Sequence, residues 1–187
     1  MKLLACPKCH QQLHLENKTL KCENNHCYDI SKRGYINLLL NPDKATNNPG
    51  DSKESLMARK AYLNKGYYDP ILNQVITCID EFKHQDDLSI LDLGCGEGYY
   101  TQGLKKHFEN SDIYGLDISK IAIDMATRYR KDVTWLVGNS KNIPILDHSL
   151  DFICALFTVV NQDELKRALK EDGYIAVSYT HLTLPTT

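Results

Sequence analysis

Two groups of residues in this chain have types and spacing suited to chemistry. The first is Cys6-Pro-Lys-Cys9, then twelve residues, then Cys22-Glu-Asn-Asn-His26-Cys27. Two cysteines separated by two residues form a knuckle that can hold zinc, with Zn–S bonds of about 2.3 Å. Cys22 supplies a third ligand, and His26 and Cys27 compete for the fourth place. A site filled entirely by protein is structural, because catalytic zinc keeps one position open. The second group is Leu91-Asp-Leu-Gly-Cys-Gly-Glu-Gly-Tyr-Tyr100, three glycines in five positions directly after an apolar run. Such a loop lets a ligand approach the backbone closely.

The glycine spacing removes two ligand classes. A dinucleotide loop reads G-x-G-x-x-G, but Tyr99 stands where the third glycine belongs. A phosphate-gripping loop needs Gly-Lys-Ser/Thr, and this loop has no lysine. What remains favours a cation, since Asp92 precedes Gly94 and Glu97 stands between Gly96 and Gly98. Nineteen residues after Gly98, Asp117 ends the next apolar run and is placed to take two ribose hydroxyls. Asn139 and Ser140 follow the third run and offer polar contacts to an adenine edge. A ligand with a ribose, an adenine, an ammonium group and no phosphate is S-adenosylmethionine, and the pattern predicts that cofactor.

These residues need a frame. Apolar runs at 88–93, 112–117, 133–137, 150–156 and 174–178 read as strands, and 98–108, 119–129 and 161–170 read as helices. Strand and helix in alternation imply an α/β fold, a parallel sheet with helices on both faces. Ligands of such sheets bind at the carboxyl ends of the strands, where the glycine loop falls. Ahead of the sheet, two more helices are expected. One runs from about Ser52 to Asn64, opened by a capping box with Asp51 as cap and Glu54 three residues on, and ended at Gly66. The other runs from Pro70 to about Lys83 with an apolar stripe of Ile71, Leu72, Val75, Ile76 and Ile79. Spacing alone favours plain packing of this region against the sheet over a lid that offers Tyr67 or Tyr68 to the ligand. Between the cysteine knuckles, Leu13, Leu15 and Leu20 alternate with polar residues around a turn at Glu16-Asn17-Lys18, a short hairpin and hence a zinc ribbon. A module this small needs a metal staple.

Composition sets the remaining bounds. No apolar run approaches the roughly 20 residues of a membrane helix, and the first residues do not form a signal peptide, so the cytoplasm is the expected compartment. Cys78, Cys95 and Cys154 stand apart from the knuckles and are expected to be buried thiols. The net charge of −2 divides unevenly. Residues 1–66 carry eleven Lys/Arg against six Asp/Glu, and the remainder eleven against eighteen. A basic front would meet a polyanion first, with Lys8, Lys21, Lys32, Arg33, Arg59 and Lys60 as candidate contacts.

The strings CPKCHQQL, GYINLL, PGDSKESLMARKAYLNKGYYDP and LDLGCGEGYYT resemble the bacterial RlmA family over residues 1 to about 178. The resemblance implies a zinc ribbon in front of a Rossmann-like class I methyltransferase sheet, truncated at its C-terminal side. It implies methyl transfer from S-adenosylmethionine to N1 of a guanine in a hairpin loop of large-subunit ribosomal RNA. Carried over by position, it assigns zinc to Cys6, Cys9, Cys22 and His26, and the cofactor to Tyr68, Gly96 and Glu97. The wider class adds Asp92, Gly94 and Asp117. The family's Tyr-Ala-Pro after the fourth strand is replaced here by Leu-Phe-Thr-Val-Val-Asn, which leaves Phe157 to stack on the base and Asn161 to bond its edge as the only catalytic candidates.

The domains expected are a ribbon at 1–40, a linker with capping helices at 41–86, and the cofactor domain at 87–178. Residues 179–187 lack the Pro-Gly-Pro stretch of the family and read as a non-native tail, so the chain as given is expected to lack turnover. The partners expected are the ribosomal RNA hairpin and no membrane, with a homodimer left open. Two rivals remain: a methyltransferase for a small molecule, and a zinc-ribbon RNA-binding fragment without catalysis.

Overall fold

The computed structural model describes residues 2–40 and 50–178. Residues 41–49 of the expected linker and the expected tail 179–187 lie outside the described residues. The hairpin forms between the knuckles, β1 (His14–Glu16) antiparallel to β2 (Thr19–Lys21), with Glu16 opposite Thr19. Asn17 takes φ 59 in its turn, a left-handed conformation that asparagine tolerates. A third strand, β3 (Cys27–Asp29), pairs with β2 and completes a small sheet. β4 (Ile36–Asn37) then leaves the ribbon and joins the large sheet.

α1 (Lys53–Leu63) is capped by Ser52, whose hydroxyl oxygen accepts from the Ser55 amide at 3.2 Å. The expected cap, Asp51, stands one residue too early and pairs with Arg59 at 2.9 Å instead. Glu54 therefore occupies the second helical position, short of the third-position reach of a capping box. α2 (Asp69–Phe82) starts beside Pro70 and buries Val75 and Ile79. The rest alternates: β5 (Ser89–Leu93), α3 (Tyr99–His107), β6 (Asp112–Asp117), α4 (Lys120–Ala126), β7 (Thr134–Val137), β8 (Leu150–Leu156), α5 (Gln162–Ala168) and β9 (Leu169–Ser178). β9 begins five residues before the expected 174, because Leu169 already pairs with Leu150 ahead of a register shift.

The large sheet runs β4-β7-β6-β5-β8-β9 with every pairing parallel. β5 lies between β6 and β8, so the chain reverses its direction of strand addition at the carboxyl end of β5, the place where such sheets bind ligands. Pleating sends Ile90, Trp135, Phe152 and Cys154 to one face, under Val75, Ile79, Leu104 and Ile123 of α2, α3 and α4. It sends Leu91, Leu93, Leu116, Leu136 and Ile153 to the other.

That second face departs from the expected helical layer. Among the described residues α5 is its one helix, contributing Leu165 and Ala168. The ribbon covers the rest, setting Leu4, Leu13 and Leu20 into the same core. Backbone bonds fasten the contact: Ala5 N–H to Pro144 O at 3.0 Å and Leu146 N–H to Leu3 O at 2.9 Å. Arg167 ties the β7–β8 loop to α5, donating to Ile143 O and Ile145 O at 2.8 Å and pairing with Glu164. Ribbon and sheet thus share one hydrophobic core. Of the three isolated cysteines, Cys95 and Cys154 are buried, whereas Cys78 is only half-buried on α2.

Candidate functional site

The knuckles close into a compact cluster. One Sγ each from Cys6, Cys9 and Cys22 and a His26 ring nitrogen all lie within 4.8 Å of one another. Cys9 Sγ is 3.7 Å from Cys22 Sγ, and His26 Nδ1 is 3.4 Å from Cys6 and 3.5 Å from both Cys9 and Cys22. Ligands about 2.3 Å from a central zinc sit about 3.8 Å apart at tetrahedral corners, so the four atoms fit that ion. Cys27 is exposed, with Sγ 3.5 Å from Asn25 O, and it stands outside the cluster. The backbone amide of Gln11 draws the Cys9 thiol down to about 6, while burial pushes Cys22 up. A divalent cation deprotonates coordinating thiols. Tyr28 Oη lies 3.3 Å from Cys6 Sγ, an outer-shell donor of the kind that orients a ligand.

The second site is a groove above the carboxyl end of β5. It has two parts, about 280 and 210 Å³, and both reach Gly94. Gly94, Gly96 and Gly98 all have positive φ, at 74, 56 and 86. A Cβ on Gly98 would stand 2.5 Å from the Trp135 ring, so the loop lies tight on the sheet there. A Cβ on Gly96 would meet only Arg59 Nη1 at 3.9 Å, which leaves its backbone open to a ligand. Thr158, after β8, packs over Gly94 and lines the smaller part.

Three carboxylates surround this loop. Asp92 is buried and accepts from Thr101 Oγ1 at 2.5 Å, and burial pushes its acid up to about 7. Glu97 is 3% exposed and its Oε1 has no partner. Burial raises its acid too. Asp117 ends β6 and accepts from the Gly96 amide at 2.9 Å and the Ser119 amide at 2.7 Å, tying the strand end to the loop. Burial raises it as well. The larger part is lined by Asp92, Glu97 and Tyr68, the smaller by Asp117, Asn139 and Ser140. The cation lining the larger part is Arg59, which is already paired with Asp51. An acidic groove with an orphaned carboxylate oxygen suits a ligand carrying positive charge and repels phosphates. S-adenosylmethionine fits that chemistry.

The structure brings together every cofactor residue expected from sequence except Gly98, which supports the loop from below. Tyr68 does face the larger part, along with Tyr62 and Leu63 of α1, so the helices ahead of the sheet cover the groove. Sequence reasoning missed Tyr62, Tyr100 and Thr158, for which no motif gives a signal. Arg59 and Lys60, expected to meet RNA, are engaged locally: Arg59 at the groove and Lys60 with its Nζ 3.3 Å from the Tyr129 ring centroid. Asn161 is the cap of α5, its side-chain oxygen accepting from the Asp163 and Glu164 amides. It does not line the groove, whereas Phe157 does. Phe157 has φ 58 and is 46% exposed, and its ring centroid lies 6.0 Å from that of Tyr68. Tyr62 in turn lies 6.0 Å from Tyr68 and 5.3 Å from Tyr67, so aromatic rings rim the mouth.

The parallel strand order, the glycine loop at the central strand and the acidic groove define a class I methyltransferase fold with a zinc ribbon packed on its sheet. A family model described as "RlmA, N-terminal" matches residues 4–45, and one described as "Methyltransferase domain" matches residues 90–173. On these two matched parts the chain is similar to the RlmA family. It is 28% identical over 179 residues to the 23S rRNA (guanine(748)-N(1))-methyltransferase of Streptomyces fradiae, covering 95% of this chain and 63% of that one. It is 30% identical to the putative 23S rRNA (guanine-N(1)-)-methyltransferase YxjB of Bacillus subtilis, covering 92% and 62%. The chain therefore spans under two thirds of the length of these relatives. Among solved structures, a putative S-adenosylmethionine-dependent methyltransferase from Methanococcus maripaludis aligns with a TM-score of 0.57 at 23% identity, covering 71% of this chain and 67% of that one. No described helix is long and apolar enough to cross a membrane.

Proposed function

We propose that this chain carries the cofactor-binding and RNA-recognition parts of an enzyme that methylates N1 of a guanine in large-subunit ribosomal RNA, with S-adenosylmethionine as donor. The observation that carries the reading is the conjunction, in one shared core, of an RlmA-type ribbon with an acidic, phosphate-repelling groove. The named activity of two relatives supports the substrate. Asp92, Gly94, Gly96, Glu97, Asp117, Asn139 and Ser140 would hold the cofactor, and Cys6, Cys9, Cys22 and His26 a structural zinc. When bound, the cofactor supplies an electrophilic methyl group on a sulfonium.

The protein's own part is positioning, which in such reactions accounts for much of the rate. A loop guanine is single-stranded and can be splayed out. Phe157 and Tyr68 stand at the groove mouth as stacking partners for it. As the N1–CH3 bond forms, the S–CH3 bond breaks to leave a neutral thioether and the N1 proton passes to water, so the total charge on the base is unchanged.

Calorimetric titration with S-adenosylmethionine and with NADH tests the groove. Incubation with unmodified large-subunit RNA and labelled donor, followed by reverse transcription, tests the substrate, because N1 methylation blocks base pairing and stops the polymerase. Binding of the methyl donor is the expected result for this chain, and a stop at a hairpin-loop guanine is the expected result for the enzyme that contains these parts. NADH binding in the groove overturns the cofactor assignment. Donor binding with methylation of a small molecule and no RNA stop overturns the substrate.

A further inference from the structure

A third cavity lies outside the groove, at the seam between ribbon and sheet. It measures about 430 Å³ and no carboxylate lines it. Its walls carry five cations, Lys18, Lys32, Arg33, Arg130 and Lys131, above a floor of Val133 and Trp135. Three separate pieces of chain deliver them. Lys18 follows Asn17 in the β1–β2 turn. Lys32 and Arg33 form the tip of a tight turn, closed by Gly34 N–H to Ser31 O at 2.9 Å and by Tyr35 N–H to Ser31 Oγ at 3.1 Å. Arg130 and Lys131 stand in the loop between α4 and β7.

The two guanidiniums are aimed by neighbouring carboxylates. Arg33 Nε meets Asp124 at 2.6 Å, and Arg130 forms a two-pronged pair with Asp132 at 2.8 and 2.6 Å. Each keeps at least one terminal nitrogen outside those bonds. Lys18, Lys32 and Lys131 are exposed and have no ion pair among the described residues. A chain of net charge −2 thus gathers five cations around one opening, two of them paired with carboxylates, Asp124 and Asp132. Like charges held this close repel one another, and the arrangement is relieved by an anion with several acceptor oxygens.

We propose that this cavity binds the sugar–phosphate backbone of the RNA, as an anchor remote from the reacting base. This inference rests on the functional reading above. Position separates it from the cofactor site: the cavity lies at the amino end of β7, on Val133 and Trp135, and the smaller part of the groove lies past its carboxyl end, at Gly138. Four residues at about 3.3 Å each put those strand ends about 13 Å apart. RNA held there is flanking RNA, so the contacts position the substrate and carry no sequence information. The anchor joins ribbon residues to sheet residues, so it exists only while the ribbon is docked.

The test is fluorescence anisotropy of a labelled hairpin RNA of large-subunit sequence, from about 50 to 300 mM salt, with the zinc-loaded chain. The variants are Lys32→Ala with Lys131→Ala, and, as control, Lys106→Ala with Lys166→Ala on other exposed surfaces. Each phosphate-contacting lysine removed lowers the salt slope by about 1, so the cavity variant is expected to lose roughly two from the slope and at least tenfold in affinity near 50 mM salt. Its affinity for S-adenosylmethionine stays at the wild-type value, which shows that it is folded. Excess inorganic phosphate shifts the wild-type curve only as its ionic strength does. Displacement by millimolar phosphate beyond that makes this a free-phosphate site and overturns the RNA assignment. Wild-type binding of RNA with the cavity variant unchanged overturns the anchor and leaves the proposed function standing. A wild-type chain that binds the methyl donor and no RNA overturns both.

Discussion

Loss of the zinc ligands will destabilise the methyltransferase sheet and not merely the ribbon. The perturbation is Cys22→Ser, or removal of the metal by a strong chelator. Leu4, Leu13 and Leu20 of the ribbon are at most 3% exposed, and all three lie in the core that contains Leu91, Leu93 and Leu116 of the sheet. Returning each to water costs roughly 2 kcal/mol, about 6 kcal/mol for the three. A domain's net stability is only about 5–15 kcal/mol, and a structural zinc supplies about 10–16 kcal/mol of apparent binding energy to its fold. The ribbon has no comparable apolar reserve without its metal. At roughly 2–4 °C per kcal/mol for a chain of this size, the melting temperature should fall by about 10–20 °C. Trp135, the chain's one tryptophan, makes the assay clean. It is 1% exposed and belongs to the core on the helical face, opposite the core that holds Leu4, Leu13 and Leu20. Its fluorescence therefore reports the packing of the sheet. Zinc release with an unchanged Trp135 melting curve would refute the shared core and make the ribbon an independent appendage.

Three further outcomes follow from the groove. Burial raises Asp92 from 3.8 to about 7, so the folded, ligand-free chain keeps a proton that the unfolded chain has released. The stability linked to this group is full below pH 3.8 and is lost as pH rises through about 7. Affinity for a cationic cofactor runs the other way, rising up to tenfold per unit to about pH 7 and then levelling. Calorimetry between pH 5.5 and 8 should show this for wild type and a shallower profile for Asp92→Asn; a profile that Asp92→Asn leaves unchanged counts against the role of Asp92. Gly98→Ala places a Cβ 2.5 Å from the Trp135 ring at φ 86. Overpacking and left-handed strain together cost about 2–4 kcal/mol, visible as a lower denaturant midpoint, and an unchanged midpoint would show that the loop relaxes freely. Phe157→Ala should lower affinity for the hairpin RNA on the order of tenfold, from about 1–3 kcal/mol per stacked base, with cofactor affinity changing far less. An equal loss in both would place Phe157 with the cofactor and not the base.

The parts legible from the chain are those whose physics is local. The Cys-x-x-Cys knuckle sets its own geometry over four residues, and the three glycines adopt left-handed conformations that few other residues accept. The order of strands and helices follows from apolar spacing within each element, and Asp117 and Asn139 sit where strand ends put them. Helix caps fall between, since Asp51 and Ser52 are both good caps and only the entering backbone chooses Ser52. β4 was not legible, because two residues carry no periodicity and their pairing partner lies a hundred positions away.

By itself, then, the sequence determined the metal knuckles, the succession of elements and the acidic glycine loop. Tertiary structure alone decided that the ribbon takes the place of a helical layer, that Tyr62, Tyr68 and Phe157 share one rim, and that Lys18, Lys32 and Lys131 surround one cavity. The physical reason is that parallel pairing and face-to-face packing join residues far apart in the chain. Such contacts leave no short-range pattern, and they exist only once the sheet has formed.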